Sequence, residues 1–167
     1  AVQRHYLIDA DRVYLTGHSM GGTGATYLAL HHPDLFAAVA PLAAAYSFPW
    51  LARNARHVPF LWIGGADDEE FYLRGVDQGV ERMRKFGVSV KIELLPEEGH
   101  FGAVKNFDRI FSWLLQQKRD PHPRDYVFEI HTPLHGRAYW TTVHKISKPG
   151  KMALIRAAAS ANNQALF

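Results

Sequence analysis

The sequence predicts an α/β fold: a mainly parallel sheet with flanking helices, followed by a small antiparallel β extension. Three observations carry this expectation. Short β-branched or aromatic runs alternate with stretches of helical spacing over residues 1–119. The residues best suited to chemistry each fall just after a predicted strand. The composition then changes at Asp120-Pro121-His122-Pro123, beyond which alternating aromatic-rich runs take over. Strands alternating with helices imply βα units and a parallel sheet, with ligands at the carboxyl ends of the strands.

The elements follow in order. Residues 12–16 (Arg-Val-Tyr-Leu-Thr) read as a buried strand stopping at Gly17. Helical spacing runs over 21–31, with Ala25, Leu28 and Ala29 on one face and Pro33 closing it. Residues 37–42 suit a second strand. Residues 47–55 suit a short crossover helix with Ser47 as its N-cap. A third strand at 59–63 (Pro-Phe-Leu-Trp-Ile) leads into Gly64-Gly65-Ala66-Asp67-Asp68. Val76, Val80 and Met83 mark another helix, and Gly87 stands where a C-terminal cap belongs. A fourth strand at 88–95 precedes the loop holding His100. Phe107, Ile110, Phe111, Leu114 and Leu115 form the apolar stripe of a last helix. Runs at 126–131, 138–146 and 152–157 read as antiparallel strands, so the expected division is a core at 1–119 and an extension at 120–167.

Composition excludes several classes. Of 167 residues 47% are apolar and 21% charged, near the averages for a folded globular chain, and no apolar run approaches a bilayer span. The net charge of +3 is dispersed and accompanies no nucleic-acid-binding motif, so neither nucleic acid nor membrane is an expected partner. Without cysteine there is no disulfide, thiolate nucleophile or cysteine metal site. His31-His32 lacks a carboxylate at ligand spacing, and no metal or cofactor is expected. The chain begins Ala-Val-Gln and reaches its chemistry within about twenty residues, reading like a piece of a longer protein.

Gly17-His18-Ser19-Met20-Gly21 fits G-x-S-x-G between a strand and a helix. Reversing a strand into a helix within one residue forces Ser19 into a strained conformation, and flanking glycines keep side chains clear. The hydroxyl is lifted above the sheet, and the Met20 N–H at the helix start is aimed at a developing oxyanion. Gly22 and Gly24 would let the helix pack closely on the sheet. A serine hydroxyl needs a base, and His100, in a flexible loop after the last core strand, is placed to supply one. His18 is locked beside the nucleophile and lines the pocket with Phe101; Tyr46 and Trp50 are further wall candidates. The acid should follow the third strand. Asp68 fits a Gly-x-x-Asp turn counted from Gly65, and Asp67 fits the same turn counted from Gly64.

Taken together, these motifs resemble the α/β-hydrolase superfamily over about residues 10–118, in its esterase and prolyl-oligopeptidase-like branch. That branch includes polyhydroxybutyrate-depolymerase-like and feruloyl-type esterases. The resemblance implies a serine esterase in which Ser19, Asp68 and His100 act in the chain order of that scaffold. It implies an acyl-enzyme intermediate and a small-molecule or polymeric ester as substrate. The short stretch between Leu42 and Pro59 leaves room for a crossover helix but none for a cap domain, so an open site is expected. A peptidase of the same branch and a non-catalytic binding or scaffold protein are the rival readings. Only the last four strands of the superfamily's sheet are found, with the Met20 half of the oxyanion hole. A missing N-terminal segment or a homo-oligomer is therefore expected to complete the sheet along its exposed first strand.

Overall fold

The computed structural model describes residues 4–148, 150–160 and 165–166, with side chains described outside 70–74 and 165–166. Four strands, β1 (Tyr14–His18), β2 (Ala38–Leu42), β3 (Phe60–Gly65) and β4 (Val90–Leu95), lie side by side in chain order, each neighbouring pair parallel. Among the described residues three α-helices accompany them: α1 (Met20–His31), α2 (Glu70–Lys85) and α3 (Phe107–Leu114). The architecture is the expected one of a parallel sheet between helical layers, with small antiparallel sheets after it.

The two-residue period of the strands divides the core. Val39, Phe60 and Trp62 pack with Ala25, Ala29 and Leu30 of α1 and with Val76, Val80 and Met83 of α2. Ala38, Ala40, Leu42, Leu61 and Ile63 face the other way, onto Ile110 and Leu114 of α3. Each fully buried Phe, Leu or Ile of this kind contributes about 1.5–3 kcal/mol. Gly87 ends α2 in the left-handed conformation (φ 76°), and its N–H reaches the Arg84 carbonyl at 2.9 Å, as a helix cap requires.

Several local expectations are corrected. Strand β1 starts at Tyr14, because residues Ala10–Arg12 form a 3-10 turn. The crossover after β2 is a 3-10 helix, Pro49–Ala55, whose cap position is Phe48; Ser47 does not cap it. Proline at its first position starts the turn without needing a side-chain cap. In α1, Leu28 is exposed while Thr26, Leu30 and His31 are buried beside Ala25 and Ala29. In α3 only Ile110 and Leu114 of the predicted stripe are buried; Phe107, Phe111 and Leu115 are exposed.

The extension pairs β5 (Asp125–Ile130) antiparallel with β8 (Ala153–Ala159), and β8 with β9 (Ala165–Leu166). The predicted strand at 138–146 is instead a tight hairpin of β6 (Arg137–Ala138) and β7 (Thr141–Thr142), reversed at Tyr139 with φ 51°. Tyr126, Phe128, Ile130, Ala138 and Ala157 form its own small core. Among the contacts that join these strands to the parallel sheet and its helices, alongside the Arg53–Glu129 and Arg56–Asp125 ion pairs, is one buried amide. Asn54 Nδ2 donates to the carbonyls of Leu30 (2.9 Å) and Glu129 (2.8 Å), and Asn54 Oδ1 accepts the Glu129 N–H at 2.7 Å.

Candidate active site

A single residue separates β1 from α1. Ser19 has φ 55° and ψ −121°, a combination that costs an L-residue about 1–3 kcal/mol and persists only where the surroundings enforce it. Here they do. The Ser19 N–H donates to the Leu42 carbonyl at 2.8 Å, and the Ser19 carbonyl accepts the Thr23 N–H at 3.1 Å. A Cβ on Gly17 would fall inside 3.0 Å of the Gly21 backbone, and one on Gly22 would meet the Gly17 carbonyl and the Ala44 methyl. The tight approach of helix to strand therefore rests on Gly17 and Gly22. The room expected of Gly21 and Gly24 is not used: a Cβ on either meets nothing within 4 Å. Met20 opens α1, so its N–H has no partner within the helix; its side chain is exposed.

Asp68 and His100 come together from two loops at the carboxyl ends of β3 and β4. His100 Nδ1 lies 3.0 Å from both Asp68 carboxylate oxygens, and the Asp68 side chain is only 3% accessible. Asp68 Oδ1 also accepts the Glu69 N–H at 2.8 Å. A carboxylate oxygen accepts, so His100 presents Nδ1–H to it. Asp67 is exposed, and its backbone N–H is spent on the Glu98 carbonyl at 3.0 Å. Of the two candidate acids, Asp68 is the one paired with His100.

Gly65 is a further part of the site, and no local sequence pattern marks it. A Cβ on Gly65 would fall inside 3.0 Å of the Glu98 and Gly99 carbonyl oxygens. The last residue of β3 must therefore be glycine for the loop bearing His100 to lie against the turn bearing Asp68.

His18, the last residue of β1, is partly buried. Its Nε2 is 2.8 Å from the His100 backbone carbonyl, and its ring stacks on Phe101 at 5.0 Å between centroids. Phe101 is otherwise exposed. Of the other wall candidates, Tyr46 is buried in the core and Trp50 is half-exposed on the 3-10 helix. A cavity of about 30 Å³ lined by Ala43, Trp62, Ile92 and Leu94 adjoins Asp68, room for water rather than for a substrate. Among the described residues, no group of three or more His, Cys, Asp or Glu is arranged to hold a metal ion. Nor is any described helix long and apolar enough to cross a membrane.

Comparison with known proteins adds family and fold. No curated protein sequence matches the chain. Among solved structures it is similar to a thermostable esterase, with a TM-score of 0.64 at 23% identity, over 71% of this chain and 34% of that one. It is also similar to an S-formylglutathione hydrolase from Agrobacterium tumefaciens, with a TM-score of 0.60 at 20% identity, over 70% of this chain and 53% of that one. A third likeness is to an acylaminoacyl peptidase from Pyrococcus horikoshii, with a TM-score of 0.60 at 13% identity, over 70% of this chain and 26% of that one. The chain thus spans from about a quarter to about half of these structures, and the likeness establishes an α/β-hydrolase-like fold. The family model Esterase, described as "Putative esterase", matches residues 1–90, which include Ser19 and Asp68; His100 lies beyond them. A match over more than half of the sequence places the protein: the chain belongs to the Esterase family.

Proposed function

We propose that the protein hydrolyses carboxylic esters, with Ser19 as nucleophile, His100 as general base and Asp68 as the acid that orients it. The observation carrying this reading is the 3.0 Å pairing of His100 Nδ1 with Asp68 at the same end of the sheet as the strained Ser19. Asp68 fixes the imidazole in the Nδ1–H tautomer and stabilises the imidazolium that forms when Nε2 takes the Ser19 proton. The Ser19 oxygen attacks the ester carbonyl, and the negative charge moves to the carbonyl oxygen. The Met20 N–H at the start of α1 donates to that oxygen, assisted by the partial positive charge of the helix terminus. Collapse expels the alcohol, which takes the proton from His100. Water activated by the same imidazole then releases the acid and restores the serine.

Family membership favours ester bonds, and the absence of any described helical cap between β2 and β3 favours small soluble esters or exposed polymer chains. Hydrolysis of p-nitrophenyl acetate, compared with a peptide anilide, tests the substrate class. Faster cleavage of the anilide would move the protein to the peptidase reading. Labelling with a fluorophosphonate, abolished in Ser19→Ala, tests the nucleophile. A folded protein that never labels would point to a binding or scaffold role instead.

A further inference from the structure

His18 does more than occupy the residue before the serine. Its Nε2 lies 2.8 Å from the backbone carbonyl oxygen of His100, and a carbonyl oxygen only accepts, so this nitrogen carries hydrogen and donates it. The two imidazole rings meet edge-on, with centroids 4.8 Å apart at 61°. The His18 ring also lies nearly flat against Phe101, with centroids 5.0 Å apart at 30°. One side chain at the end of β1 therefore engages two consecutive residues of the loop after β4, by a hydrogen bond to one and a stacked face to the other.

That loop is already anchored from the β3 side. The Ala66 N–H donates to the Leu95 carbonyl at 2.9 Å and the Asp67 N–H to the Glu98 carbonyl at 3.0 Å. Both ties fix the loop relative to Asp68. Neither fixes it relative to Ser19, which stands at the end of β1, two strands beyond β3 and three from β4. Asp68 and His100 can be held correctly with each other and still be misplaced as a pair.

From this geometry we propose that His18 is a positioning residue that ties the His100 loop to the strand carrying the nucleophile, rather than a substrate-contacting residue. The Nε2–H clamp on the His100 carbonyl sets the height of the loop above the sheet. Stacking on Phe101 sets its rotation. Because His18 and Ser19 are adjacent in the chain, the distance between nucleophile and base becomes a local property of one dipeptide. Phe101 then serves as the opposite half of this clasp, which gives an exposed aromatic ring a reason to be there. The inference rests on the reading of Ser19 and His100 as nucleophile and base.

The test uses two substitutions that separate the donor from the ring. In His18→Gln the side-chain amide nitrogen reaches the place of Nε2 and can donate to the same carbonyl. In His18→Phe the stacked ring remains and the donor is lost. His18→Phe should lower kcat on p-nitrophenyl acetate about 5- to 10-fold, the order expected for one hydrogen bond, with KM unchanged. Fluorophosphonate labelling should slow by the same factor, and His18→Gln should recover most of both rates. A raised KM at native kcat, or equal losses in the two variants, would overturn the clamp. Amide hydrogen exchange gives a readout independent of turnover: residues 100–102 should exchange faster in His18→Phe and near the native rate in His18→Gln. If Ser19→Ala still turns over ester, the proposed mechanism fails on its own, while loop exchange unaltered in His18→Phe would remove the clamp alone.

Discussion

Gly65→Ala offers the sharpest way to challenge the site geometry without touching a reacting group. The added methyl carbon would lie inside 3.0 Å of two backbone oxygens, those of Glu98 and Gly99, and neither belongs to a side chain that can swing away. Relief requires the backbone of the His100 loop to retreat by about an ångström, and a displacement of that size at a catalytic group costs about 100-fold in rate. Gly64 supplies the control. It is the adjacent residue of the same strand, yet a Cβ there meets only the Leu94 side chain at 3.8 Å, an ordinary contact. We therefore expect Gly65→Ala to lose about 100-fold in kcat/KM on p-nitrophenyl acetate while Gly64→Ala stays near native. Thermal melts of both variants would show that the loss is not unfolding. Equal activities in the two variants, with Ser19→Ala inactive, would refute the idea that the contact between these two loops sets the position of His100.

Other outcomes follow from the same coordinates. Asp68→Asn should lower kcat by about 10⁴-fold, because an amide offers a donor and an acceptor and no longer enforces the Nδ1–H tautomer; the exposed Asp67→Asn should stay near native, and the reverse ranking would transfer the acid's role to Asp67. Asn54→Leu removes three hydrogen bonds and orphans the Leu30 and Glu129 carbonyls and the Glu129 N–H, so urea unfolding should show a loss of about 2–4 kcal/mol; a loss under about 0.5 kcal/mol would mean that the extension is held by other contacts. His31 and His135 face each other at 4.4 Å between ring centroids, with His32 and His131 close by. Burial foremost, then the neighbouring imidazoles, lower the pKa of both from the usual 6.5, although the Tyr27 carbonyl partly opposes the shift for His31. The unfolded chain then binds more protons, so stability is full above pH 6.5 and falls as pH drops through the lowered folded values. His135→Gln should flatten that acid limb in melts taken across pH 5–7, and an unchanged slope would refute the assignment.

What the sequence revealed follows from which physical signals are local. A residue such as Phe60 or Leu61 announces a strand because both faces of β3 are buried and the run is apolar throughout. Ser19 was legible because reversing a strand into a helix within one residue demands small neighbours, and Gly17 meets that demand. The α3 stripe is narrower than its periodicity predicts for a different reason. Periodicity tells which residues share a helix face, while the width of that face actually covered depends on what lies opposite, and here only Ile110 and Leu114 are covered. The hairpin at Tyr139 had no turn signature, since an aromatic residue with positive φ is not what turn chemistry favours. The choice between Asp67 and Asp68 also needed three dimensions. Counting from Gly64 or Gly65 is symmetric in sequence, and only the direction of the turn points one carboxylate inward to His100.

The placement of the proposed acid and nucleophile shares one electrostatic cause. Ser19 occupies the residue before α1, and Asp68 lies two residues before α2, with Glu69 at the cap. Each site is thus next to a helix N-terminus, where unpaired N–H groups gather partial positive charge that stabilises an anion by about 0.3–1 kcal/mol. At α2 the Asp68 carboxylate accepts the Glu69 N–H and the His100 Nδ1–H. At α1 the anion of the proposed mechanism is transient, the oxygen of the tetrahedral intermediate, and the Met20 N–H waits for it. Parallel βα units produce this arrangement as a matter of course, since β1 and β3 both end at this rim and each is followed by the start of an α-helix. Hydroxyl and carboxylate therefore share one rim because the topology points its helix N-termini the same way, and the loop after β4, which leads into a 3-10 turn before α3, brings the imidazole to Asp68.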